Sequence, residues 1–98
     1  MWGEINDKRL LSIKESYCLG EACLIFEYSG NAKRTVAFKT REDLKKAKDF
    51  ILSKRKDFTL EIVENFVTAI TDDKRVVFNI VNNDHANRLK EVLDNFKR

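Results

Sequence analysis

The stretch that decides the fold is KRTVAF at residues 33–38, because a close echo of it, KRVVF, stands at residues 74–78. In both stretches two large apolar residues stand two positions apart, Val36 with Phe38 and Val76 with Phe78, as on one face of a β-strand. Each is followed by a residue suited to capping a helix, Thr40 in the first case and Asn82 or Asn83 in the second. An amphipathic helical pattern follows each cap. The chain therefore reads as two similar halves that each end in a strand and a helix.

Two further strands precede each of these units. Alternation predicts strands at residues 10–14, 22–28 and 33–39, a helix at 41–56, strands at 58–63, 66–71 and 76–80, and a last helix ending at Phe96. The prediction is a single α+β domain over residues 1–98, with about six mainly antiparallel strands and two helices in the order βββα-βββα.

The two halves suggest internal half-repeats at residues 10–57 and 58–98. Val36 and Phe38 match Val76 and Phe78 at a spacing of 40, whereas the helices match at a spacing of 42, so two extra residues are expected before the second helix. A diverged duplication explains the match, and so do two independent solutions to the same local physics.

The predicted strands are apolar on both faces. With Phe66, Thr68 and Ile70 assigned inward, the opposite row becomes the candidate protein interface, consisting of Cys23, Ile25, Val63, Val67, Ala69 and Val77. Two helices cover one face of a sheet, so the second face needs another cover. Closure into a barrel or sandwich is the favoured interpretation, because it also hides the sheet edges. A second protein chain is the alternative.

Positive charge is concentrated in the middle third of the chain. The net charge is only +3, but residues 31–60 hold ten Lys or Arg against four Asp or Glu. Phosphate contacts are predicted for six of these cations: Lys33, Arg34, Arg41, Lys45, Lys48 and Arg55. The competing interpretation is a solvated helix face, with residues 54–56 complementing the helix dipole.

Residues suited to catalysis or metal binding are few. Cys18, Cys23 and His85 give three soft ligands, one short of a structural zinc site, and two small buried thiols are the simpler interpretation. His85 is expected to be a solvent-exposed residue of the last helix's first turn. Three glycines in all exclude a dinucleotide or Walker fingerprint. The prediction is a protein that is not an enzyme, with no metal, cofactor or small-molecule substrate.

The chain shows no run of the ~20 apolar residues that a membrane-spanning helix needs. The first residues, MWGEIND, lack the basic end and apolar run of a secretion signal. Together with only two cysteines, these features predict a cytoplasmic location.

Two partial architectural resemblances follow from this order of elements. Residues 76–96 are similar to the closing strand and helix of pleckstrin-homology-like domains, although the helix at 41–56 departs from that pattern. The alternation of hairpin and helix resembles the double-wing DNA-binding domain of a phage transcription activator. Both resemblances imply a fold and carry no functional residue to this chain.

Two functions are therefore predicted, both non-catalytic. The first is a small regulatory module that binds nucleic-acid phosphates through the basic helix face. The alternative is a protein–protein interaction module, as a homodimer or an adaptor, that uses the apolar sheet face or an open strand edge. The arrangement of the cations discriminates between them, because scattered cations favour the protein partner.

Overall fold

The computed structural model describes residues 4–5, 8–17 and 20–96. The elements in chain order are β1 (Glu4–Ile5), β2 (Lys8–Ser16), β3 (Ala22–Tyr28), β4 (Ala32–Phe38), α1 (Arg41–Leu52), β5 (Thr59–Val63), β6 (Phe66–Ile70), β7 (Arg75–Asn79) and α2 (Asn83–Phe96). Every strand pair is antiparallel, in two sheets of order β1-β2-β3-β4 and β5-β6-β7. The predicted α+β class and the order βββα-βββα are confirmed, with β1 as a two-residue addition.

Both helices begin at the predicted caps. The Thr40 hydroxyl accepts a hydrogen bond from the Asp43 N–H at 3.1 Å, and the Asn82 side-chain oxygen accepts one from the His85 N–H at 2.9 Å. The end of α1 differs from the prediction, since the helix stops at Leu52 and Lys54 takes a φ of 57°. Residues 54–56 therefore lie beyond the last turn, and the prediction that they complement the α1 dipole is wrong.

The two sheets meet at one antiparallel junction. Phe38 pairs with Ile80, and two backbone hydrogen bonds flank this pair, from the Lys39 N–H to the Asn79 C=O at 2.9 Å and from the Val81 N–H to the Ala37 C=O at 3.1 Å. Adding 42 to the residue numbers of the first half gives the residues of the second half in the same roles. The junction thus lies on a pseudo-two-fold axis.

The helices are exchanged across this axis, so that each one covers the last strand of the other half. On the outer edge of β7, the Asp43 carboxylate of α1 accepts from the Asn79 N–H at 3.1 Å, and Lys46 donates to the Val77 C=O at 2.7 Å. Backbone groups that would otherwise lack protein partners are thereby satisfied by side chains of α1.

The equivalent arrangement lies on the outer edge of β4, with α2 residues that are 42 positions after those of α1. Nδ1 of His85 in α2 accepts from the Ala37 N–H at 2.9 Å, and Arg88 donates to the Thr35 C=O at 3.2 Å. The equivalents of Val36 and Phe38 are therefore Phe78 and Ile80, and the predicted strand spacing of 40 is wrong. No extra residues are needed before α2, while the duplication of half-repeats 10–57 and 58–98 stays a prediction.

One hydrophobic core draws on both sheets and both helices. Its β6 contribution comes from Val67 and Ala69, both fully buried, so their assignment to a second, interface-forming face is wrong. The strands form two open antiparallel sheets rather than the favoured closed barrel or sandwich. The smallest dimension of the molecule is 21 Å, which fits one layer of sheet covered by one layer of helices.

Neither helix in the described part of the chain has the length and apolar character that crossing a bilayer requires.

Candidate functional site

The six predicted phosphate-binding cations lie in three separate places. The first is the start of β4, where Arg34 forms an ion pair with Glu91 of α2 at 3.4 Å. Lys33 lies beside Arg34 and opposite Glu27 of β3. Both cations therefore have an acidic neighbour, and they lie at the end of β4 that is remote from α1.

The second place is the side of α1 that faces the end of β2. The Arg41 guanidinium lies 4.5 Å from the centre of the Tyr17 ring, and Lys48 forms an ion pair with Glu15 at 3.1 Å. The hydrogen bond from Lys48 lowers the pKa of Glu15, with a smaller contribution from Lys45. These cations stack on a ring or face a carboxylate of β2, which leaves them less available to an external anion.

The third place is the connection after α1. Arg55 donates to both carboxylate oxygens of Asp57, at 3.0 and 2.8 Å, and forms an ion pair with Asp73 at 3.4 Å. These hydrogen bonds raise the pKa of Arg55 and lower that of Asp57. The guanidinium ties this connection to the turn between β6 and β7.

The six cations therefore lie at three separate places and do not form one contiguous basic face. Lys33 and Arg34 lie at the start of β4, and Arg41 follows the end of that strand. Arg55 lies beyond the far end of a 12-residue helix that spans about 18 Å. Sequence counting found the local surplus of cations but could not show that acids distant in sequence would pair with them.

The outer face of the β5–β6–β7 sheet carries three of the six large hydrophobic residues that are exposed in the described part of the chain. Val63, Phe66 and Val77 are 66%, 40% and 41% exposed, respectively. Val63 lies directly opposite Phe66, and Val77 lies opposite Thr68, one diagonal step from Phe66. We call the outward side chains Val63, Phe66, Thr68, Ile70 and Val77 the Phe66 face.

The edge of the Phe66 face is polar. Glu61 and Arg75 form an ion pair at 3.5 Å across the outer surface of β6, and both side chains are more than half exposed. Such an exposed pair contributes little to stability. An aromatic centre with a charged rim is a common arrangement in protein–protein interfaces.

The predicted interface row is only partly recovered. Val63 and Val77 are exposed on the Phe66 face, whereas Cys23 and Ile25 lie half-buried on the outer face of the other sheet. Phe66 was assigned inward by sequence because both rows of β6 are apolar. The two-residue turn at Glu64 and Asn65 was the available signal, since it pairs Val63 with Phe66 on one face.

The pseudo-two-fold axis provides an internal comparison for this face. Matching the strand registers of the two sheets gives equivalent positions, in which Val63, Phe66 and Val77 correspond to Ser16, Cys23 and Thr35. At these three positions the same backbone thus carries small or polar residues on one sheet and large apolar residues on the other, whereas Ile25 is the equivalent of Thr68. The fold accommodates small or polar side chains at these three positions.

His85 is half-buried rather than solvent-exposed as predicted, because its Nδ1 seals the edge of β4. Burial lowers its pKa, and so does Arg88, while Glu21 and Asp84 act in the opposite direction. Cys18 lies outside the described residues, and Cys23 is not in a disulfide. Within residues 4–5, 8–17 and 20–96, no three metal-ligating side chains come together.

His85 is expected to make stability pH-dependent. Its folded-state pKa is lower than the ordinary value of about 6.5, so its contribution is fully present above that pH and is lost as pH falls through the folded-state pKa. Chemical denaturation at pH values from about 7.5 down to about 5 measures this loss in the free energy of unfolding, because histidine titrates in this range. In His85→Asn, whose side chain still offers an oxygen acceptor, this pH-dependent loss should be absent; an unchanged loss would contradict the assignment to His85.

No protein-family model, curated protein or solved structure matches this chain.

Proposed function

We propose that this protein is a non-catalytic interaction module that binds a protein partner through the Phe66 face. The observation that carries the proposal is the difference between the two outer sheet faces. Val63, Phe66 and Val77 are large and exposed, while their equivalents across the pseudo-two-fold axis are small or polar. Apolar side chains that the fold does not need, grouped in one place, are typical of a binding surface.

The size of the face limits the kind of contact. Three strands about 4.8 Å apart and five residues rising about 3.3 Å each give an area of about 14 by 17 Å, or about 240 Å². A stable interface between globular proteins buries about 800 Å² on each partner. The face alone therefore suits a transient contact or a short segment of a partner.

Site-specific photo-crosslinking tests the proposal. Phe66→p-benzoylphenylalanine and Val77→p-benzoylphenylalanine, each in the full chain and irradiated in the cells that produce it, should give discrete protein adducts. Thr35→p-benzoylphenylalanine is the matched control, because Thr35 is the equivalent of Val77 on the other sheet. Adducts from positions 66 and 77 but not from 35 support the proposal. Equal adducts at all three positions, or none at any, overturn it.

The nucleic-acid hypothesis draws its support from the surplus of cations at residues 31–60. Six phosphate contacts would give a slope of about −5 in a plot of log affinity against log salt. Because Arg34, Lys48 and Arg55 are already paired with carboxylates, three of the six cations remain, and we expect a slope no steeper than about −3. Fluorescence anisotropy with a generic DNA duplex measures it, and a slope near −5 would restore nucleic acid as the preferred partner class.

The cytoplasmic location belongs to the same proposal. Its support is the low cysteine content of the sequence.

A further inference from the structure

The fold closes some strand edges with side chains and leaves others open. The outer edges of β4 and β7 are hydrogen-bonded to His85, Arg88, Asp43 and Lys46, as described above. Among the residues that the structure describes, β5 pairs with β6 alone and is the terminal strand of its sheet. An edge strand offers unpaired backbone donors and acceptors to another chain.

The register identifies the backbone groups that point away from the sheet. In a two-residue hairpin the residues flanking the turn exchange hydrogen bonds, so Val63 bonds to Phe66, and alternate residues of β5 follow the same pattern. The N–H and C=O groups of Leu60 and Ile62 therefore point outward. The Asn65 C=O agrees with this alternation, since it accepts from the Ile80 N–H on the other side of β6 at 2.9 Å.

The side chains of β5 are incompletely covered on both faces. Leu60 and Ile62 point towards the core but remain half-buried, and Val63 on the opposite face is largely exposed. An added strand would complete the burial of both sets. The equivalent strand, β2, pairs with β1 at Lys8 and Arg9, and it carries Lys14 at the position of Glu61. Lysine on an edge strand discourages pairing, and β5 has no lysine within its bounds.

We infer that the open edge of β5 accepts an extended segment of a partner protein as an additional strand. This inference rests on the proposed function and specifies the partner's chemistry. Backbone hydrogen bonds to Leu60 and Ile62 would provide affinity. Alternating side chains would provide specificity, with apolar residues against Leu60 and Ile62 on one face and a cation facing Glu61 on the other. An extended segment fits better than a second globular copy, because an edge of five residues is much shorter than a stable dimer interface requires.

A phage-displayed library of random short peptides, selected on the immobilised full chain, tests this inference. We expect enriched peptides with alternating apolar residues, and we expect their addition to slow amide hydrogen exchange at Leu60 and Ile62. Leu60→Pro removes an outward N–H without removing a bond to β6, so peptide affinity should fall at least about tenfold. Leu60→Val is the matched control, because it shortens the side chain and retains the N–H.

The outcomes separate this inference from the proposed function. Peptides that depend on the Leu60 N–H and protect the two amides support strand addition. Peptides that lose affinity with Phe66→Ser but bind Leu60→Pro and Leu60→Val equally overturn strand addition and leave the proposed function standing. If Leu60→Pro does not fold, amide hydrogen exchange at Leu60 and Ile62, measured with and without peptide, separates the two proposals instead. Failure to enrich any peptide, together with no adduct at Phe66, overturns both.

Discussion

Replacing Phe38 by alanine is expected to lower the free energy of unfolding by about 3–5 kcal/mol. Phe38 is fully buried and pairs with Ile80 at the junction on the pseudo-two-fold axis. Removing its ring leaves a cavity where both sheets meet, so neither half can compensate for the lost contacts. Urea denaturation followed by circular dichroism measures the change.

Phe66→Ala is the matched control for this substitution. It removes the same ring from a position that is 40% exposed, and the loss should be less than about 1 kcal/mol. A loss for Phe66→Ala equal to that for Phe38→Ala would mean that Phe66 belongs to the core.

Removing the side-chain acceptors from the outer edges of β4 and β7 is expected to have the second largest effect on the free energy of unfolding. Asp43→Ala leaves the Asn79 N–H without its acceptor, and His85→Ala does the same to the Ala37 N–H. An unsatisfied partly buried donor costs about 1–3 kcal/mol. Because the two sites use separate partners, the effects should add to about 2–6 kcal/mol in the double variant.

Asparagine at the same positions provides the control for the edge-sealing contacts. Asp43→Asn and His85→Asn each retain an oxygen that can accept a hydrogen bond from the backbone N–H, so each should be more stable than the corresponding alanine variant at about pH 7.5. The expected loss for each asparagine variant is about 1 kcal/mol or less. Equal losses for alanine and asparagine would show that the edge hydrogen bonds contribute little.

Much of the fold follows from local signals in the sequence. The cap at Thr40 is visible because a hydroxyl precedes an acidic first turn, and the cap at Asn82 follows the same logic. The alternation of residues between two faces located the strands, because it too is a signal carried by neighbouring residues. The end of α1 was less predictable, since Lys54 adopts a left-handed conformation that nothing in its local sequence demands.

The faces of β6 could not be predicted from alternation, because Phe66 and Val67 begin two apolar rows of similar quality. In the structure Val67 and Ala69 are fully buried in the core, and Phe66 lies on the outer face. The sequence also could not predict that each helix covers the last strand of the other half. The contacts that define this arrangement join residues 31 to 53 positions apart in the chain, such as Lys46 with Val77 and Arg88 with Thr35.

The residues that match in sequence are therefore not the residues that are equivalent in the structure. KRTVAF and KRVVF are alike in composition, yet the position of Phe38 is taken in the second half by Ile80 and not by Phe78. The corrected equivalence identifies the unequal outer faces, and this inequality supports the Phe66 face as a binding surface.

The most direct test of this account is the stability of the triple variant Val63→Ser, Phe66→Ser, Val77→Thr, which places small polar residues on the Phe66 face as on the equivalent positions of the other sheet. If the face serves a partner and not the fold, its free energy of unfolding should stay within about 1 kcal/mol of the wild-type value. A loss of about 3 kcal/mol or more, of the size seen for core truncations, would contradict the account.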